Sequence, residues 1–106
     1  MKLGIIVNTN DPEKAWNGLR LGNEALAKGN ETSLFLLGGG VEIVAIEDKV
    51  FDVAEVLKKF LDNGGNLLAC GSCLEIRQQE ASVCPISTMS ELLEMIVDSD
   101  KMVTLG

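Results

Sequence analysis

The chain is predicted to be an α/β protein, a three-layer α/β/α sandwich with a parallel five-stranded sheet forming a single domain over residues 1–106. Three observations predict it. Strand-length apolar runs alternate with amphipathic helical stretches along the whole sequence. The strand runs are continuously apolar rather than alternating, as strands covered on both faces must be. A length of 106 residues with 46% hydrophobic residues suits one core and leaves no low-complexity tract or repeat to explain.

Lys2 to Asn8 (KLGIIVN) reads as the first strand. The Asn-Thr-Asn-Asp-Pro that ends it starts a helix, with Asp11 as N-cap and Pro12 at the first helical position. Ala15, Trp16, Leu19, Gly22 and Leu26 share one face of that helix, Gly22 allows close approach to a sheet, and Gly29 closes it. Glu31 to Leu37 (ETSLFLL) is the second strand. The run from Gly38 to Gly40 reads as a flexible turn, and VEIVAIEDK after it fits strand, short helix or lid equally well.

Asp52 with Glu55 makes a capping-box-like start for a second helix, whose Val53, Val56, Leu57, Phe60 and Leu61 form an apolar stripe. Asn63, Gly64 and Gly65 stop it. Asn66 to Cys70 (NLLAC) is the third strand and Leu74 to Gln79 a short helix. Ala81 to Ile86 is read as a short fourth strand. Thr88-Met-Ser-Glu91 opens a further helix with Leu92, Leu93 and Ile96 inward, and Lys101 to Leu105 (KMVTL) is the last strand.

A formal net charge of −7, with no Lys/Arg cluster and 4% aromatic residues, argues against direct nucleic-acid binding and against anionic membrane surfaces. The apolar start of the chain is too short for a secretory core or a membrane span, so a cytoplasmic protein is expected. All three cysteines lie within residues 66–85, NLLACGSCLEIRQQEASVCP. An odd number confined to one stretch is not a disulfide framework, and reduced thiols are expected.

The C-x-x-C of Cys70 and Cys73 falls where a strand ends and a helix begins. Open α/β sheets react at the carboxyl ends of their strands. A helix N-terminus favours a thiolate, so both sulfurs are candidate nucleophiles, with Cys70 expected to be the more exposed and more reactive. Gly71 would let backbone amides approach a group on the sulfur, Ser72 offers a hydroxyl, and Arg77 one turn later adds a cation. Each has a structural counterpart: cysteine is a common core residue and Arg77 an ordinary surface cation. For Cys84, before Pro85, core filling weighs as much as function.

Zinc would need a fourth ligand beyond three cysteines, and the chain has no histidine. No metal is assigned, and the missing histidine also removes a Cys-His dyad. Gly38 to Gly40 fits neither G-x-G-x-x-G nor G-x-x-x-x-G-K-[ST], so no nucleotide or other cofactor is expected.

With CGSCLEIR set in this strand-turn-helix context, the chain resembles the DsrE/DsrF-like family of small sulfur-relay proteins, TusD-type subunits included. The resemblance runs over nearly the whole chain, through KLGIIVN and its Asn/Asp-rich loop, the strand ending in Cys70, the helix with Arg77, and the closing SELLEMIVDSDKMVTLG. It implies a cytoplasmic α/β/α protein, assembled as a homo- or hetero-oligomer, whose cysteine after the third strand accepts sulfane sulfur as a persulfide and hands it on. By position that cysteine is Cys70, with Cys73 an additional thiol. Gln78 departs from the Arg-Gly pair often found there. Sulfur-donor and sulfur-acceptor proteins are the implied partners.

Two alternatives stand beside sulfur relay. C-x-x-C at a helix start is also the signature of thiol-disulfide oxidoreductases, although here it follows the third strand, has no Trp beside it and lacks a separate facing proline. The other is a non-catalytic oligomeric module with structural cysteines. A homo-oligomer is expected, because a small sheet has edges to cover and Val41 to Ile46 would be poorly covered in a lone subunit.

Overall fold

The computed structural model describes residues 1–78 and 85–106. The strands are β1 (Lys2–Val7), β2 (Glu31–Leu36), β3 (Asn66–Cys70), β4 (Ile86–Ser87) and β5 (Lys101–Leu105). They form one sheet in the order β4-β3-β2-β1-β5, with every neighbouring pair parallel. The helices are α1 (Pro12–Ala27), α2 (Val53–Asp62), α3 (Gly71–Ile76) and α4 (Met89–Asp98), and a 3-10 helix spans Gly38–Ala45. The parallel α/β architecture is as the sequence predicts.

Local chemistry sets most boundaries. The side chains of Asp11, Asp52 and Thr88 accept hydrogen bonds from the backbone N–H of Lys14, Glu55 and Glu91, capping α1, α2 and α4. α1 and α2 pack on the face that carries Ile5: a Cβ on Gly22 would lie 2.8 Å from the Phe60 ring, so glycine there sets how closely the two helices approach. On the opposite face Gly4 lies against Met102 and Ser99, at the end of α4. Ile5, Val7, Leu19, Leu34, Phe35, Leu36 and Phe60 are sealed between these layers. Burying such side chains contributes roughly 1.5–3 kcal/mol each.

Three expectations are corrected, and a fourth falls largely outside the described residues. Gly38 to Gly40 is not a loose turn but the first turn of the 3-10 helix, in which Gly40 N–H donates to Leu37 O. Val41 and Ile43 from that helix are each 1% exposed, so the segment thought to need a partner is covered by its own chain. In α4, Leu92 is buried but Leu93 and Ile96 face solvent with Met89 and Val97. The helix's apolar sector is wider than its contact with the sheet, and periodicity does not say which part is covered. The fourth strand is Ile86–Ser87; residues 81–84, and Cys84 with them, lie outside the described residues.

Candidate functional site

β3 delivers Cys70 to the carboxyl edge of the sheet, and α3 begins at the next residue. Cys70 occupies the N-cap of α3 in an extended conformation, yet its sulfur makes no capping hydrogen bond. It is 3% exposed and belongs to the hydrophobic core. The expected exposure of this thiol is therefore reversed: at the strand end it packs into the hydrophobic core.

Cys73 lies one turn further along α3, half-buried, its sulfur next to that of Cys70. Both are free thiols. The backbone N–H of Gly38 donates to Cys73 Sγ across 3.2 Å, linking the end of β2 to α3. Burial, then the hydrogen bond with Cys70, pushes the Cys73 thiol above its ordinary value; the Gly38 N–H and the Arg77 charge pull it back only in part. For Cys73 the ready ionisation expected at a helix start is thus outweighed by desolvation in a helix of only six residues.

Arg77 stands close enough for its charge to favour the Cys73 thiolate. Its Nε is 3.7 Å from Glu42 Oε1, both side chains about one-third exposed, and Glu42 Oε2 accepts a 2.8 Å hydrogen bond from Asn10 Nδ2. Glu42 thereby ties the β1–α1 loop, the 3-10 helix and α3 together around the thiols. Glu42, Asn10 and Gly38 were not read from the sequence as site residues, since they lie more than thirty residues from Cys73 and only the parallel topology gathers them.

Gly71 also makes room for the neighbouring strand. A Cβ there would lie 2.9 Å from Ile86 Cγ2 and 3.4 Å from Ser87 O, so the glycine admits β4 beside β3. Ser72 is exposed, and among the described residues no hydrogen bond joins its hydroxyl to either sulfur. The thiols sit two strands away from the β1–β5 boundary where the sheet's winding reverses. Among the described residues no three Cys, Asp or Glu side chains are grouped to hold a metal ion.

A family model described as the DsrE/DsrF-like family matches residues 1–105. The chain belongs to the DsrE/DsrF-like family. It is 32% identical over 114 residues to an uncharacterised protein of Methanocaldococcus jannaschii, covering 98% of this chain and 99% of that one. It is 29% identical over 98 residues to an uncharacterised protein of Methanopyrus kandleri, covering 86% and 81%. A solved structure of a conserved protein of unknown function from Bacteroides thetaiotaomicron superposes with a TM-score of 0.79 at 20% identity, over 97% of this chain and 93% of that one. A protein of unknown function from Methanobacterium thermoautotrophicum superposes at 0.75 and 9% identity, over 96% and 97%. These superpositions share the fold; the family is the one associated with sulfur relay. No helix among the described residues is long and apolar enough to cross a membrane.

Proposed function

We propose that this DsrE/DsrF-like protein is a cytoplasmic sulfur carrier that receives sulfane sulfur from a donor protein on its Cys70–Cys73 pair and passes it to an acceptor protein. The observation that carries the reading is the pairing of two adjacent free thiols with the Gly38 N–H and the Arg77 charge at the carboxyl edge of a parallel sheet. A thiolate attacks the terminal sulfur of a donor persulfide, R–S–SH. The new S–S bond forms on the cysteine as the donor's S–S bond breaks, and the electron pair leaves as the donor thiolate. The product persulfide is stabilised as an anion by an N–H donor and a guanidinium, which suits Gly38 and Arg77 to the role. Gly71 and Ser72 complete the turn between the sulfurs.

Thiol-disulfide exchange is the second reading, favoured by two free thiols three residues apart, with Cys70 close enough to raise the Cys73 thiol. One incubation separates the two. The reduced protein is mixed with a cysteine desulfurase and cysteine, without reductant, and its intact mass is followed. Gain of one sulfur atom supports the carrier; loss of two hydrogens with no sulfur gained supports the oxidoreductase. If no donor changes the mass, the cysteines are structural.

A further inference from the structure

We propose that Cys73, rather than Cys70, is the thiol that meets the incoming sulfur donor, and that Cys70 is an interior thiol reached only after it. The inference rests on the persulfide reading and fixes the order of access within it.

A displacement at sulfur needs nucleophile and target about 3–3.5 Å apart along an open line of approach. Cys70, at the end of β3, does not offer one. It is 3% exposed and packed into the core, at the residue where α3 begins. A persulfide carried on a protein finds almost no open surface at this residue. Cys73 is the outer member of the pair, and the groups suited to an anion converge on it. The Gly38 N–H points at its Sγ from 3.2 Å, and Arg77 sits one turn on, held by Glu42.

Among the described residues, the charged and titratable groups that face Cys73 are Cys70 from β3, Arg77 at the end of its own helix, and Glu42 from the 3-10 helix acting through Arg77. In the loading step Cys73–S⁻ and R–S–SH give Cys73–S–SH and R–S⁻; the persulfide proton then passes to solvent. The neighbouring Cys70 is placed for a second displacement. As a thiolate it takes the outer sulfur of Cys73–S–SH, forming Cys70–S–SH as the Cys73 S–S bond breaks and the electron pair returns to Cys73 as thiolate.

The test uses the full chain with Cys84→Ser, alone and combined with Cys70→Ser or Cys73→Ser, a cysteine desulfurase with cysteine as donor, and intact mass as readout. Circular dichroism first checks that each variant is folded. The Cys70→Ser protein is expected to gain one sulfur and keep it, and the Cys73→Ser protein to gain roughly tenfold less. Loading of Cys73→Ser at the level of its parent, with none in Cys70→Ser, overturns the assignment while leaving the carrier reading in place. If no variant loads, the carrier reading fails, and the order of access is decided by labelling the native parent with a bulky maleimide. Label on Cys73 ahead of Cys70 supports it, and label on Cys70 first overturns it.

Discussion

The backbone N–H of Gly38 donates to the sulfur of Cys73 across 3.2 Å, joining two chain segments 35 residues apart at the carboxyl edge of the sheet. This donor favours a charged sulfur, yet the sulfur is desolvated enough that its thiol is held above the ordinary range. Reaction with an alkylating agent follows the thiolate fraction, so a raised value displaces the rate profile to higher pH. Iodoacetamide labelling mapped to Cys73 is expected to reach half its maximal rate at a pH above that of an unhindered cysteine. Arg77→Gln removes a charge that lowers the value and moves the profile further up. A midpoint below that of a free thiol would contradict the account.

Glu42 acts on that same balance through Arg77. Its carboxylate partly neutralises the guanidinium, so Glu42→Gln leaves Arg77 more fully positive beside the sulfur. The pair is partly solvated, which keeps the effect small. Labelling of Cys73 at pH 8 is expected to rise about two- to threefold in Glu42→Gln and to stay unchanged when the same substitution is made in an Arg77→Gln protein. An equal rise in both backgrounds would show that Glu42 acts on the sulfur directly.

The α/β class, the span of β3 and β5, and the caps at Asp11, Asp52 and Thr88 are legible in the sequence because each is decided within a few neighbouring residues. The 3-10 helix was not, since VEIVA fits several periodicities and its form depends on Val41 and Ile43 finding the core. The site was half legible. The strand-to-helix junction placed both thiols at the carboxyl edge, but their unequal burial and the convergence of Gly38, Glu42 and Asn10 on them are products of tertiary packing.

Gln78 has φ +51°, the only residue other than glycine among those described with a positive φ. It ends α3 just past Arg77, where a left-handed residue without a Cβ is strained least. Gln78→Gly is expected to leave stability unchanged or to raise it by up to about 1 kcal/mol, against the usual loss when glycine is introduced. Urea unfolding measures this, and a loss above about 1 kcal/mol would mean that the glutamine side chain makes a contact that outweighs the strain.

We infer that the outer flank of α4 is where two copies of this chain meet. Met89, Leu93, Ile96 and Val97 line it, Val97 at 79% exposure, while Glu91, Glu94 and Asp98 border a groove on the other side with Ser33, Asn66 and Leu68. The apolar stripe therefore turns toward β5, which among the described residues is an edge strand paired only with β1. A second copy offering the same edge and stripe covers both and keeps the acidic rows apart. Sedimentation is expected to give an oligomer that Val97→Glu dissociates; a monomeric wild type at tens of micromolar, or an oligomer indifferent to the substitution, would contradict this.

The central claim is that the Cys70–Cys73 pair carries transferable sulfur, and cold cyanolysis tests it most directly. Protein loaded by a cysteine desulfurase and freed of small molecules is treated with cyanide, which removes sulfane sulfur as thiocyanate. The account predicts about one thiocyanate per chain for the wild type and none for the Cys70→Ser/Cys73→Ser protein, as expected when a cysteine persulfide is the only source. Wild type that yields no thiocyanate, or a double variant that yields as much as wild type, would contradict it.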